Sequence, residues 1–262
     1  MCTAPGEDVG KPTLPAVSEQ ERQLSAGDGA SLREFEALPA TGFRRGAVVI
    51  LHDIWGYTNF YKDLARRITL ADHAAVLVDF FGRQGDLPAE MRAPERTGTK
   101  PEAVARATER AQQLSDERFL ADLQTAVDDV QARGAQRVAC WGFCMGGRLA
   151  YVAAARVRGL SGAVGYYGFL QAEPGRLSPL QLASQIRIPV LAVFGGADPA
   201  IPPDQIAGFR DALQTDKEVI TYPGAPHGFL RYGVIEHKAA IDDALARTFR
   251  FFSRVLTRSG AA

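Results

Sequence analysis

Residues 137–149 read Arg-Val-Ala-Cys-Trp-Gly-Phe-Cys-Met-Gly-Gly-Arg-Leu. The apolar run 138–141 has the character of a buried strand. Residues 142–147 interrupt it with glycines, and an alanine-rich helical pattern over 149–155 follows at once. A strand that meets a helix through a glycine-flanked residue is the strand–turn–helix pattern of a nucleophile elbow, G-x-S-x-G, here with Cys144 in the serine position. The glycines have a mechanical reason, because the chain reverses so tightly that side chains two residues either side of the nucleophile would collide. A cysteine at a helix N-terminus also faces backbone N–H groups and a dipole that favour a thiolate. The same stretch fits a glycine-rich turn carrying an ordinary half-buried cysteine, so its meaning depends on what the rest of the chain brings to it.

Upstream, residues 46–51 and 74–78 are continuous apolar runs, the mark of strands buried on both faces. A helical pattern over 60–68 lies between them. Residues 102–133 read as helical in two segments broken near Ser115 and Asp116, and the loop-like excursion over 82–101 suits a segment that covers a site. Downstream, strands are expected over 162–168, 188–194 and 217–222, helices over 205–213 and 239–256. Strand alternates with helix throughout, which predicts an α/β fold with a mostly parallel, doubly wound sheet. At the front, 22–26 and 31–37 alternate polar and apolar around Gly27-Asp28-Gly29, the signature of a hairpin at a sheet edge. Residues 1–20 lack periodicity and read as a mobile tail; 21–262 read as a single domain.

Composition narrows the function classes. Thirty basic residues balance thirty acidic ones, which gives no support to a nucleic-acid or membrane-surface role. No apolar run approaches a membrane span, and no signal-peptide apolar region is seen. Cys2, Cys140 and Cys144 do not make a disulfide framework, and no second Cys/His pair accompanies Cys140 and Cys144 to make a metal site. The expectation is a cytoplasmic protein without a bound metal.

Three residues, each just past an expected strand, then fall into order: Cys144, Asp198 and His227. In a parallel sheet the carboxyl ends of the strands share one edge, so residues far apart in sequence converge there. His227 can take the thiol proton and later protonate a leaving oxygen, and Asp198 can hold the imidazole tautomer and steady its cation. Backbone N–H groups of Met145 and Ile54 are the candidate oxyanion donors. Each residue alone also has a structural reading: Asp198 precedes a proline as turn formers do, and His227 can be a loop histidine. Of the other histidines, His73 reads as a helix-end residue, His237 as solvated, and His52 as a residue beside the first site loop that can line the pocket.

The chain resembles the dienelactone hydrolases (carboxymethylenebutenolidases) of the α/β-hydrolase superfamily. The resemblance runs from about Ser25 to Leu256. It rests on Asp53-Ile54-Trp55-Gly56, Asp79-Phe80-Phe81, Gly142-Phe143-Cys144-Met145-Gly146-Gly147, Gly165-Tyr166-Tyr167-Gly168, Gly196-Ala197-Asp198 and His227-Gly228-Phe229. It implies an α/β-hydrolase fold of about eight strands, a monomer with a dimer as the alternative, no cofactor, and opening of an enol-lactone, dienelactone, to maleylacetate through a thioester. In the family a carboxylate of the first site loop contacts the resting thiol. Asp53 stands at that position, where the best-known bacterial members carry glutamate. Arg231, four residues after His227, matches a family arginine that binds the substrate carboxylate, and Arg106 or Arg110 matches a second. Trp55, Phe80, Phe81 and Tyr167 are candidate pocket walls, with core packing as their alternative. Two other functions stay open: a broader carboxylesterase or acyltransferase, and a hydrolase-fold protein that uses Cys144 as a redox or ligand sensor.

Overall fold

The computed structural model describes residues 18–86, 101–171, 175–232 and 235–257. Residues 1–17 and 87–100, which hold most of the expected tail and most of the covering excursion, lie outside the described residues. Eight strands form one sheet in the order β1-β2-β4-β3-β5-β6-β7-β8. They are β1 (Ser18–Ser25), β2 (Ser31–Leu38), β3 (Ala47–Leu51), β4 (Ala74–Val78), β5 (Val138–Phe143), β6 (Leu160–Tyr166), β7 (Val190–Gly195) and β8 (Lys217–Tyr222). The pairs β1·β2 and β2·β4 are antiparallel, and every other pair is parallel. β1 starts at Ser18, so residues 18–20, assigned to the tail by sequence, are in fact strand. They pair with residues 36–38 of β2, a constraint that the local sequence does not advertise.

The continuous apolar runs are the interior strands. Every residue of β3, β4, β5 and β7 is buried, whereas the edge strands β1 and β8 stay largely half-exposed or exposed. The helices are α1 (Asn59–Thr69), α2 (Pro101–Gln113), α3 (Asp116–Ala132), α4 (Met145–Arg156), α5 (Pro179–Leu182), α6 (Pro203–Ala212), α7 (Phe229–Tyr232) and α8 (Lys238–Thr257). The break between α2 and α3 falls where the sequence placed it. Ser115 caps α3 by accepting a hydrogen bond from the Arg118 N–H at 3.1 Å.

Two glycines of β6 show that helices cover both faces of the sheet. A side chain at Gly162 would meet Phe251 of α8, and one at Gly165 would meet Tyr151 of α4. Their odd spacing puts them on opposite faces. Trp141 and Phe143, on one face of β5, touch Phe252 of α8 and Tyr61 of α1 respectively, while Tyr151 packs on Phe209 of α6 across the sheet. No helix among the described residues is long and apolar enough to cross a membrane.

Candidate functional site

β5 ends in a tight turn. Cys144 has φ +54° and ψ −113°, a backbone conformation that a residue with a Cβ adopts only when its surroundings enforce it. The enforcement is visible on both sides. A Cβ on Gly142 would overlap the Gly146 carbonyl oxygen, and a Cβ on Gly146 would overlap the carbonyl oxygens of Leu51 and His52. The turn therefore closes on itself and packs against the end of β3. The Cys144 N–H donates to the Tyr166 carbonyl at 3.0 Å, which ties the turn to β6. Cys144 is left half-buried at the start of α4, outside any disulfide among the described residues.

The acid and base loops are stitched to each other. After β7, the Gly196 N–H donates to the Tyr222 carbonyl at 2.8 Å and the Ala197 N–H to the Ala225 carbonyl at 3.0 Å. This brings Asp198 under His227. The imidazole Nδ1–H donates to Asp198 Oδ2 at 2.6 Å, and the carboxylate, whose side chain has no solvent exposure, accepts the Ala200 N–H on its other oxygen at 3.0 Å. Cys144 is the imidazole's other ionisable neighbour. Burial works against an imidazolium here, yet the Asp198 hydrogen bond and the Cys144 sulfur outweigh it and push the imidazole up to about 10. Asp198 and His227 thus form a hydrogen-bonded pair, and Cys144 is close enough to act on the imidazole electrostatically.

The first site loop follows β3. The Asp53 N–H donates to the Tyr61 hydroxyl at 3.1 Å, the Trp55 N–H to Asp53 Oδ1 at 2.9 Å, and the Gly56 N–H to the Asp53 carbonyl at 3.1 Å. Of the four N–H groups from Asp53 to Gly56, this leaves that of Ile54 without a protein acceptor among the described residues. Met145, as the first residue of α4, has an N–H that helix geometry leaves unpaired.

Asp53 departs from the arrangement that the family resemblance implies. Its second oxygen is directed at Arg231 Nη1, 3.5 Å away, rather than at the thiol. Both side chains are only 8% exposed, and Arg231 also donates to Thr58 Oγ1 at 3.4 Å while lying over the Phe60 ring at 5.0 Å. The two candidate second arginines differ. Arg106 is on the surface of α2, paired with Glu109 one helical turn on. Arg110 reaches the first site loop but is already engaged: it donates to the carbonyls of Phe81 and Gly85 and to Gln84, and it lies 4.6 Å over the Phe81 ring.

The expected pocket walls are more buried than walls need to be. Phe80 and Phe81 sit against the His52 ring, and Trp55 is covered by Ala103 and Ala107 of α2. Tyr167, almost fully buried at φ +39°, is 5.2 Å from the His227 ring and carries Asp53, Cys144 and Arg231 in its electrostatic surroundings. Burial, then the nearby Asp53 and Cys144 side chains, hold its hydroxyl well above the usual phenol range, so it stays protonated. His52 does not line a pocket. It donates from Nδ1 to the Asp53 carbonyl at 2.8 Å and accepts the Phe80 N–H on Nε2 at 3.2 Å, and burial keeps it neutral. It is a brace between the first site loop and the loop after β4. His73 is likewise buried, with its Nδ1 on the Arg45 carbonyl at 2.6 Å. Sequence reasoning missed Phe169, whose ring stacks on His227 at 5.3 Å and 18°. Its place two residues after Tyr167 was the available signal.

One acidic group elsewhere has the spacing of a cation site: Glu34, Glu36 and Asp129 bring carboxylate oxygens within 4.8 Å of one another. Arg22 and Arg133 already occupy it, Arg22 bonding to all three and Arg133 to Glu36 and Asp129, so the group is an ion-pair cluster.

Comparison with known proteins follows the same outline. The model of the dienelactone hydrolase family matches residues 32–256. A protein of Saccharolobus solfataricus, provisionally named carboxymethylenebutenolidase, is 30% identical over 256 residues, covering 87% of this chain and 96% of its own. A Bradyrhizobium protein, provisionally named 2-oxo-3-(5-oxofuran-2-ylidene)propanoate lactonase, is 28% identical over 77% of this chain and 80% of its own. Among solved structures, a provisionally assigned dienelactone hydrolase from Klebsiella pneumoniae superposes with a TM-score of 0.79 at 27% identity, covering 92% of this chain and all of the other.

Proposed function

The chain belongs to the dienelactone hydrolase family, a family of hydrolases acting on ester and lactone bonds, and from that premise we propose that it opens a small lactone with Cys144 as the nucleophile. The observation that carries the proposal is the His227–Asp198 pair beside Cys144, which stands on an elbow with φ +54°.

The steps balance with substrate and water. His227 Nε2 holds the proton that has left the Cys144 thiol, and the sulfur attacks the carbonyl carbon. The C=O electron pair moves onto oxygen, which the N–H groups of Ile54 and Met145 meet. As the pair returns, the ring C–O bond breaks, and His227 gives its proton to the departing oxygen. The acyl group is now a thioester on Cys144. Water then loses a proton to His227 and adds to the thioester carbonyl. The C–S bond breaks, and the proton returns to sulfur as the acid leaves. Asp198 keeps the proton-shuttling nitrogen facing the sulfur throughout.

Arg231 is proposed to receive a carboxylate of the substrate, which competes with Asp53 for the guanidinium. An Asp53 released in this way is free to act on the thiol, the role that the family resemblance suggests. Tyr167, Trp55 and Phe81 are proposed to set the shape of the pocket rather than to bind polar groups. A second reading, a carboxylesterase of neutral esters, is favoured by one observation: Arg110 is committed to backbone carbonyls, so the described residues offer Arg231 without a second arginine beside it for an anionic substrate. We also propose one domain from residue 18, a monomer, no metal or cofactor, and a cytoplasmic setting in which the thiol stays reduced.

The test is hydrolysis of cis- and trans-dienelactone beside p-nitrophenyl acetate, using wild type and Cys144→Ala. Dienelactone opening that disappears in the variant supports lactone hydrolysis. Ester turnover with inert dienelactone selects the carboxylesterase. Absence of any Cys144-dependent turnover refutes both and favours a sensor.

A further inference from the structure

The imidazole of His227 is gripped at one point by Asp198, and a single hydrogen bond leaves a ring free to rock about it. Its loop is tied to the loop after β7 through backbone groups, the Ala197 N–H donating to the Ala225 carbonyl, but this tie does not reach the ring itself. Ring contacts come from the loop after β6. The Tyr167 N–H donates to the Val193 carbonyl at 2.7 Å, which fixes one end. Gly168 packs so closely on the backbone of Gly147 and Arg148 that no side chain fits there. Leu170 is fully buried, and its carbonyl accepts both the Leu180 N–H and the Ser178 hydroxyl at 3.0 Å. Phe169 is therefore flanked on both sides by residues anchored through their backbones. The face it presents is parallel to the imidazole within 18°, at a centroid distance of 5.3 Å, while the Tyr167 ring meets the imidazole at 60°.

We propose that Phe169 is a positioning residue: its ring, carried on an anchored backbone, fixes the plane of the His227 imidazole toward Cys144 and favours the imidazolium form through its π face. The inference rests on the reading of Cys144 and His227 as a working pair. The titratable groups facing the imidazole are Asp198, Cys144 and the protonated Tyr167 hydroxyl, and Phe169 adds no charge to them. Its effect is on orientation and on the cation, which separates it from a residue that merely fills space.

The experiment compares Phe169→Leu, which keeps apolar bulk without a ring, and Phe169→Tyr, which keeps the ring. Alkylation of Cys144 by iodoacetamide at about pH 6.5, located by peptide mapping, reports the thiolate without any substrate. Turnover of p-nitrophenyl acetate reports kcat and KM separately. A stacked pair of this kind predicts that Phe169→Leu slows alkylation and kcat alike by roughly three- to tenfold, with KM within about twofold of wild type, and that Phe169→Tyr restores both. A Leu variant that changes KM alone makes Phe169 a pocket wall and overturns the proposal. Equal losses in Leu and Tyr variants overturn it too, because the ring face would then be irrelevant. The alkylation comparison stands apart from the hydrolase reading: if Cys144→Ala retains turnover, that reading falls while the Leu–Tyr difference in alkylation still decides the role of Phe169.

Discussion

Replacing Asp198 with asparagine keeps the shape of the side chain and removes its charge, so it isolates what the carboxylate does for His227. In the wild-type protein a hydrogen bond of 2.6 Å runs from the imidazole to a carboxylate with no solvent exposure, and the imidazole sits at about 10 despite burial that opposes the cation. A hydrogen bond to a charged group contributes roughly 1.5–3 kcal/mol, and one pKa unit corresponds to about 1.4 kcal/mol. Loss of the charge therefore lowers the imidazole by about 1–2 units; the Cys144 sulfur continues to hold it above where burial alone would put it. The asparagine amide can also donate to Nδ1, which leaves the proton on the nitrogen that faces sulfur and makes it useless as a base. Together these lower kcat by about 10²–10⁴-fold near neutral pH. The assay is a pH profile of kcat/KM for a p-nitrophenyl ester beside an NMR titration of the imidazole. An Asp198→Asn protein whose imidazole titrates with the wild type, or whose kcat falls less than about threefold, would refute the account of the base.

Three more outcomes follow from other parts of the fold. Glu34 is fully buried, and burial followed by the neighbouring Glu36 raises its carboxyl well above the usual range; its neutral form is the one the fold favours, so Glu34 removes stability as pH rises from the ordinary carboxylate range upward. Glu34→Gln should match wild type in urea melts at about pH 5 and exceed it by about 1–3 kcal/mol at about pH 9, and a variant weaker at the higher pH would contradict this. Gly146→Ala puts a methyl group onto the Leu51 and His52 carbonyl oxygens, which predicts a loss of more than about 3 kcal/mol in thermal or urea unfolding; a near-neutral effect would show that the elbow is not closed as described. Arg231→Met should lower kcat/KM for an anionic lactone at least about tenfold relative to that for a neutral ester, and an unchanged ratio would remove Arg231 from substrate binding.

Much of this architecture was legible because burial leaves a direct imprint on composition. The runs at 47–51, 74–78 and 190–195 are apolar at nearly every position, and all three are buried on both faces. Cys144, Asp198 and His227 were legible because they stand just after such runs, and a parallel sheet aligns those ends. Pairings between loops were not. The Asp53–Arg231 contact joins residues 178 apart, and nothing in the local pattern of either shows that they meet. His52 was ambiguous for the same reason: its role as a brace depends on the Phe80 N–H, which a different strand delivers. Phe169 looked like one more apolar residue after a strand, because stacking is a property of orientation and not of spacing. The start of β1 was hidden because an exposed edge strand such as 18–21 carries polar side chains on both faces.

The central claim is that Cys144 carries the acyl group. Rapid-quench mass spectrometry of the protein mixed with p-nitrophenyl acetate, followed by peptide mapping, tests it most directly. The account predicts a transient acetyl adduct on the peptide containing Cys144, formed and lost at rates consistent with turnover and absent in Cys144→Ala. Turnover that persists in Cys144→Ala, or an adduct that maps to another residue, would contradict it.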